Sequence, residues 1–275
     1  MSALAGLLGA VGLRLTLGQV VQSLRRCRFV AILVANFLIV PALTLAAARV
    51  SGLDRDLTIA MILLGSAPFA PVVPVFARLA RADLSLAAGL TSIFPVLSAF
   101  LTPLACVVAL KAVPDAGAIR FNLLGVLLTL VATITLPLAL GVFVNHRWPA
   151  LGRRVLRPVE VASEAVGAVS LAFVTVVEFN SIIATGWRPL LVMALVAEWS
   201  LVMGYGLGGA PASRQVIAFG TSNRNIALAL LVAIQSFAGT PVVSGVVANG
   251  LLLILLGLLH VAWWRFASPR RNAEM

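Results

Sequence analysis

The sequence predicts an all-α polytopic membrane protein with about nine transmembrane helices. Of its 275 residues, 61% are hydrophobic and only 11% are charged, whereas soluble domains contain about 45–50% apolar and about 25% charged residues. A soluble core in a chain of this length cannot hide so much apolar surface. The apolar runs are also longer than the strands of about 10 residues that build membrane β-barrels. These observations argue against a soluble enzyme, a disordered chain and a membrane barrel.

Nine apolar segments are long enough to cross a bilayer as helices, which takes about 20 residues each. We name these segments a to i in chain order. They leave no room for a soluble domain, so we expect residues 1–275 to form a single membrane domain. The segments are residues 2–24, 28–50, 57–80, 83–110, 120–145, 160–184, 189–209, 214–236 and 241–265. The longest connection, residues 146–158, is also the most densely charged.

The basic residues are unevenly divided between alternate connections. Thirteen of the 20 Lys and Arg residues fall in one set of connections and five in the other, while Arg14 and Arg224 lie inside segments. Because basic loops remain in the cytoplasm, we predict that the N-terminus lies outside the cell (inner) membrane and the C-terminus lies inside. This topology explains the net charge of +11 without nucleic acid, so the bilayer is the predicted partner surface.

Two segments are interrupted at mid-membrane depth. Segment c carries Pro68, Pro71 and Pro74, and segment h carries the polar run Gly220–Asn225. Each proline removes a backbone donor and clashes with the preceding turn. Broken helices at corresponding positions of two halves indicate a transporter binding site, and segments c and h would correspond in two inverted repeats of four and five helices. The alternative is one proline kink and an ordinary polar packing patch.

Five sequence pieces carry a family resemblance through their order and spacing. They are Gly12–Leu17, Asn36–Pro41, Gly65–Pro74, Leu101–Pro103 and Arg224–Leu230. In these pieces the chain resembles the bile acid:sodium symporter family. The resemblance implies ten helices in two inverted repeats, divided into a panel domain and a core domain in which the fourth and ninth helices break and cross. This chain would then lack the family's first helix, which agrees with an outside N-terminus, although a misassigned start codon explains it equally well.

The family's sodium-coupling residues transfer only in part. Its sodium-binding glutamate aligns with Gly220, and the glutamine before the asparagine of the ninth helix aligns with Arg224. Its Ser-Asn pair at the first break aligns with Val73–Pro74, and a glutamine on the third helix becomes Asn36. The carboxylate is therefore absent, and a guanidinium that should repel sodium is present.

The oxygen ligands that remain for Na+ are few, and we predict little dependence on sodium. The residual side-chain candidates are Thr91, Ser92 and Asn225. The coupling ion could be sodium, a proton or none, and no other cofactor is expected.

Arg224 is the most informative charge, because a charged side chain at mid-bilayer costs about 2.5–3.5 kcal/mol and is a functional candidate by default. Its planar fork could anchor a carboxylate, phosphate or sulfonate, or it could replace a bound cation. The alternative is a buried ion pair with Glu198, which could itself carry a coupled proton or act as structural glue. His260 is interpreted as an interfacial residue. The predicted substrate-binding residues are Arg224, Asn225, Asn223, Ser222, Thr91 and Asn36.

These observations predict a secondary active transporter of a small organic anion that works by alternating access. The sequence has no GxxxxGK[ST] run, so direct use of ATP is not expected. It has only two histidines and no HExxH or GxSxG run, so we do not expect an enzyme. The alternative function is a non-transporting family member that acts as a membrane sensor or scaffold. The oligomeric state cannot be predicted from the sequence.

Overall fold

The computed structural model describes residues 2–14, 25, 27–113 and 121–267, and all regular structure in those residues is helical. We number the helices in chain order. They are α1 (Ser2–Arg14), α2 (Phe29–Val50), α3 (Arg55–Gly65), α4 (Val73–Leu79), α5 (Leu84–Leu110), α6 (Leu123–Arg147), α7 (Pro149–Val177), α8 (Phe179–Ala184), α9 (Trp187–Leu207), α10 (Pro211–Ser222), α11 (Ile226–Phe237) and α12 (Pro241–Ala267).

Seven helical stretches in the described residues are long and apolar enough to cross a membrane. They are α2, α5, α6, α7, α9, the α10–α11 pair and α12, which supports a multi-pass membrane protein. The other two predicted segments do not meet that length. Segment a is described only as the 13-residue α1, because residues 15–24 lie outside the described part, and segment c is divided into α3 and α4. The count of nine and the inverted repeats stay predictions.

One predicted boundary was wrong. The charged stretch 146–158 was expected to be a loop, but it is helical except for Trp148, where α6 ends and α7 begins. Pro149 occupies the first turn of α7, where its missing N–H costs nothing. Arg153, Arg154 and Arg157 therefore lie on the first turns of α7. Hydropathy alone missed these turns because a helix can continue beyond the apolar layer.

Two long helices contain a π-helical turn just before a proline. The turn Ala35–Ile39 precedes Pro41 in α2, and the turn Val131–Thr135 precedes Pro137 in α6. A proline inside a helix cannot donate to the carbonyl four residues earlier and crowds it, and a widened turn relieves that conflict. The turn in α2 includes Asn36, whose side chain is fully buried.

The helices pack in two groups. Helices α1, α6 and α7 pack on one another, α2, α9 and α12 pack around the interrupted segments α3–α4 and α10–α11, and α5 contacts both groups. In the first group α1 and α6 approach so closely that a Cβ on Gly12 would collide with the backbone of α6, and one on Gly141 would collide with the backbone of α1. Arg14 at the end of α1 donates to Glu160 of α7 over 2.6 Å, which fastens the same group.

Candidate functional site

The two interrupted segments cross and are joined through their backbones. The chain is not helical between α3 and α4 over residues 66–72, nor between α10 and α11 over residues 223–225. Three hydrogen bonds connect the breaks: Phe69 N to Gly220 O at 3.2 Å, Ala70 N to Asn223 O at 3.2 Å, and Asn225 N to Ala67 O at 2.7 Å. Each break therefore satisfies backbone groups that the other leaves open, as a membrane interior requires.

The predicted helix-breaking residues have different roles. Pro68 and Pro71 lie within the first break, as expected. Pro74 instead occupies the first turn of α4, a favoured place for proline, so it starts a helix rather than breaking one. Gly220 lies inside α10, so the second interruption is not caused by it. It comes at Asn223, where the chain becomes extended.

Arg224 is held inside the second break, and among the described residues one nitrogen of its guanidinium has no hydrogen-bond partner. The residue is 1% exposed. Its Nη1 donates to Asn36 Oδ1 over 3.2 Å, and its Nη2 is buried without a hydrogen-bond partner among the described residues. Asn36 also donates from Nδ2 to Thr221 Oγ1 at 3.3 Å. The π turn of α2 thus positions one amide to orient a buried cation 188 residues further along the chain.

The residues beside Arg224 organise the break. Asn225 caps α11, because its Oδ1 accepts from the backbone N–H of Leu228 at 3.1 Å. The Asn223 amide donates to Ser222 Oγ over 3.1 Å. All four polar residues from Ser222 to Asn225 are buried. The structure therefore places Ser222, Asn223, Arg224, Asn225 and Asn36 in one buried polar cluster at the second break.

Thr91 and Ser92 of α5, the other predicted ligands, form no hydrogen bond with this group in the described residues. Thr91 is 2% exposed and its Oγ1 has no hydrogen-bond partner in the described residues. Ser92 Oγ donates to its own helix, to Ala88 O at 2.5 Å. Asn225 Oδ1 is already used as a helix cap. The described residues contain no group of three or more His, Cys, Asp or Glu side chains that could hold a metal ion.

An aromatic ring fills the space where the resemblance would put the sodium-binding carboxylate. A Cβ added at Gly220 would collide with the ring of Phe69. Phe69 is completely buried, has a left-handed φ of 56°, and stacks on Phe94 with ring centroids 4.0 Å apart. Phe69 was not among the residues predicted from the sequence. The sequence does contain one indication of this contact. Gly220 has no side chain, so the space beside it is filled by a side chain from a neighbouring segment.

Glu198 does not pair with Arg224, so the alternative of a buried Arg224–Glu198 ion pair is wrong. Its Oε2 lies 3.1 Å from Nε2 of His260, and the Glu198 and His260 side chains are 43% and 20% exposed. The interfacial interpretation of His260 is therefore incomplete, since the ring faces a carboxylate on another helix. The missed signal was that two ionisable residues occur within otherwise apolar segments g and i.

One cavity lies away from Arg224, between α7 with α8 and the ends of the interrupted segments. It has a volume of about 960 Å³ and is bounded by the end of α7 with α8 on one side and by the ends of α3, α11 and α12 on the other. Its lining includes Phe173, Val177 and Glu178 from the first group and Asp56 and Ile234 from the second. Under the predicted topology, this end of the protein faces outside.

Crossing broken helices around a buried polar cluster, set in a bundle of apolar helices, define an α-helical membrane protein of the transporter type. A family model described as "Sodium Bile acid symporter family" matches residues 1–185, about two thirds of the chain. The chain belongs to the sodium bile acid symporter family, which is a family of transporters rather than enzymes. The match confirms the resemblance found in the sequence.

Two characterised proteins are similar to the chain. A sodium-dependent organic anion transporter of Rattus norvegicus is 25% identical over 236 residues, covering 81% of this chain and 61% of its own length. An ileal sodium/bile acid cotransporter of Homo sapiens is 24% identical over 189 residues, covering 65% of this chain and 52% of its own length. The chain thus spans less than two thirds of the length of either relative.

Proposed function

We propose that this protein is a secondary active transporter of a small organic anion, with Arg224 as the anchor for the anion. Family membership supports transport, and the name of the rat relative supports organic anions as the substrate class. The observation that carries the proposal is the buried guanidinium whose Nη2 has no protein partner in the described residues. An unpaired buried donor is costly, and an anionic oxygen would satisfy it.

The polar group around Arg224 suits an anionic headgroup. A guanidinium binds a carboxylate, sulfonate or phosphate through a planar fork, and Asn36 orients that fork from one side. No carboxylate contacts Arg224 in the described residues, because Glu198 is engaged with His260. The cation is therefore available to neutralise a ligand rather than a side chain of the protein.

The arrangement of the helices supports alternating access. A cavity of about 960 Å³ lies between the end of α7 with α8 and the ends of α3, α11 and α12, and it is at the upper end of the usual volume range of ligand pockets. Arg224 itself is 1% exposed. In this proposal the cavity is the entrance on the outer side, and rocking of the two groups opens a path to the buried cation.

Sodium is not expected to drive this transport. A glycine occupies the aligned position of the family's glutamate, and the Phe69 ring occupies the adjoining space. Sodium ions need several oxygen ligands, and the Arg224 charge repels them. We expect uptake of a radiolabelled organic anion into proteoliposomes to be the same, within about twofold, in sodium and in choline buffers.

The sodium experiment is made with a panel of probes that contains a bile acid, an alkyl sulfonate and an aromatic carboxylate. Empty liposomes and the Arg224→Gln protein serve as controls. Uptake that disappears in choline would contradict sodium independence. Absence of uptake for every probe under sodium and proton gradients would favour the sensor or scaffold alternative.

Asn36→Asp provides a separate test of the anchor. The new carboxylate would lie about 3 Å from Arg224 Nη1, in the place of the Asn36 amide, and form an ion pair with it. We expect anion uptake to fall at least about 10-fold because the cation is then neutralised internally. The melting temperature should change little, because the new ion pair offsets the loss of the hydrogen bond from Asn36 Nδ2 to Ile32 O. Asn36→Leu controls for loss of the amide, and unchanged transport in Asn36→Asp would contradict the anchor role.

A further inference from the structure

His260 and Glu198 form a contact in which each imidazole nitrogen faces an oxygen. His260 Nδ1 lies 2.8 Å from the backbone carbonyl of Leu256, and Nε2 lies 3.1 Å from Glu198 Oε2. A backbone carbonyl can only accept a hydrogen bond. The carbonyl therefore fixes one ring hydrogen on Nδ1, and the second contact needs a hydrogen of its own.

The contact between His260 Nε2 and Glu198 Oε2 determines how many protons the two side chains hold together. A neutral imidazole carries one N–H and an ionised carboxylate carries none. With Nδ1–H committed to Leu256, a neutral His260 and an ionised Glu198 would place two lone pairs against each other at 3.1 Å. One additional proton resolves this, either on Nε2 or on the Glu198 carboxyl. The geometry thus describes a pair that holds one exchangeable proton.

We propose that His260 and Glu198 form a proton-binding site that couples proton movement to the interrupted segment α10–α11. The pair lines a small recess of about 10 Å³, which has room for about one water molecule. Ser222 and Asn223 line the same recess. The proton site therefore adjoins the residues that end α10 and precede Arg224.

Among the described residues, no third titratable side chain lines the recess. The remaining lining residues are Ala197 and Leu201 of α9, Ser222 and Asn223 at the end of α10, and Leu253, Leu256 and Gly257 of α12. The nearest aromatic neighbour with a described ring contact is Trp264, whose ring centroid is 6.1 Å from that of His260. Arg224, which follows Asn223, contributes a fixed positive charge and directs Nη1 toward Asn36.

The charge balance explains how the pair would act, given the proposed anion transport. With the proton bound, the pair is neutral, and Arg224 leaves a net positive charge beside the second break. When the proton leaves Nε2 or the carboxyl group for water, the pair becomes negative and offsets Arg224. An anion therefore binds best when the proton is bound, so one anion and one proton cross together without net charge.

A spectroscopic experiment tests the proton site independently of transport. The chain has two histidines, so His146→Gln leaves His260 as the single imidazole signal in a ¹⁵N-histidine-labelled sample. From the two contacts we expect Nδ1 protonated and Nε2 either protonated or hydrogen-bonded to the Glu198 carboxylic acid. Adding Glu198→Gln should give a neutral ring with an unprotonated or amide-bonded Nε2. In the sample that keeps Glu198, a hydrogen on Nε2 alone would overturn the proton site, and so would an unprotonated Nε2 that accepts no hydrogen bond.

A transport experiment tests the coupling. Under an inward proton gradient of about one pH unit, cotransport of one proton with each anion should accumulate the labelled anion about 10-fold. Glu198→Gln should equilibrate the anion without accumulating it, while Glu164→Gln, which changes an exposed carboxyl of α7, should behave like the parent protein. Accumulation that persists in Glu198→Gln would overturn the coupling. If no anion is transported by the parent protein, the proposed function fails, and the spectra still decide the proton site.

Discussion

Arg224→Gln should lower the affinity for the transported anion by about 10- to 100-fold, which corresponds to the roughly 1.5–3 kcal/mol of a hydrogen bond to a charged group. Glutamine keeps a polar side chain and removes the cation. Arg224→Lys should retain part of the affinity, because it keeps the charge and loses the planar fork. The measurement is the concentration dependence of uptake in proteoliposomes.

The stability of the same variants separates ligand binding from packing. In the described residues Arg224 has no acidic partner, and its Nη2 is unpaired. Removal of the guanidinium should therefore leave the melting temperature unchanged or raise it, since a buried charge without compensation is costly. Arg188→Gln on α9 is a matched control, because that side chain is exposed and, in the part of the chain that the structure describes, donates to Ser51 O at 3.3 Å. A large loss of stability in Arg224→Gln, with unchanged affinity in the folded fraction, would contradict the anchor role.

Gly220→Ala should destabilise the protein by about 1–3 kcal/mol, as overpacking of a full core does. The added methyl group would enter the space of the Phe69 ring. Phe69 cannot easily move away, because it is fully buried and stacked 4.0 Å from Phe94. The measurement is the thermal unfolding of the detergent-solubilised protein, monitored by the loss of helical circular dichroism.

Two further variants make the Gly220 prediction specific. Gly206→Ala is the control, because a Cβ at Gly206 in α9 meets nothing within 4 Å, and alanine is the better helix former. The double variant Gly220→Ala/Phe69→Ala should lose less stability than the sum of the two single losses, because the methyl group enters the space that the ring vacates. Strict additivity, or a stable Gly220→Ala, would contradict the described contact.

Hydropathy and local breaking rules predicted much of this architecture. Long apolar runs gave α2, α5, α9 and α12 within a few residues, because a bilayer imposes a minimum helix length. The proline run and the polar run located both interruptions. The start of α7 at Pro149 was missed, because the charged turns there are helical outside the apolar layer.

The contacts of the candidate site could be predicted only in part. The sequence indicated that Arg224 was important, because it is a charge within an apolar segment. It could not indicate which partner Arg224 has, since Asn36 is 188 residues away and Glu198 was the more obvious choice. The Glu198–His260 contact joins residues 62 positions apart, and Phe69 reaches Gly220 across the crossing. Such contacts depend on how the interrupted segments cross, which hydropathy does not encode.

The most direct measurement of the central claim is equilibrium binding of a radiolabelled organic anion to the purified protein, in sodium and in choline, with Arg224→Gln as the paired variant. The account predicts saturable binding to the parent protein in both buffers and at least about 10-fold weaker binding to Arg224→Gln in both. Binding to the parent protein that requires sodium, or equal binding to Arg224→Gln, would contradict the claim that a fixed arginine has replaced sodium at the anion site.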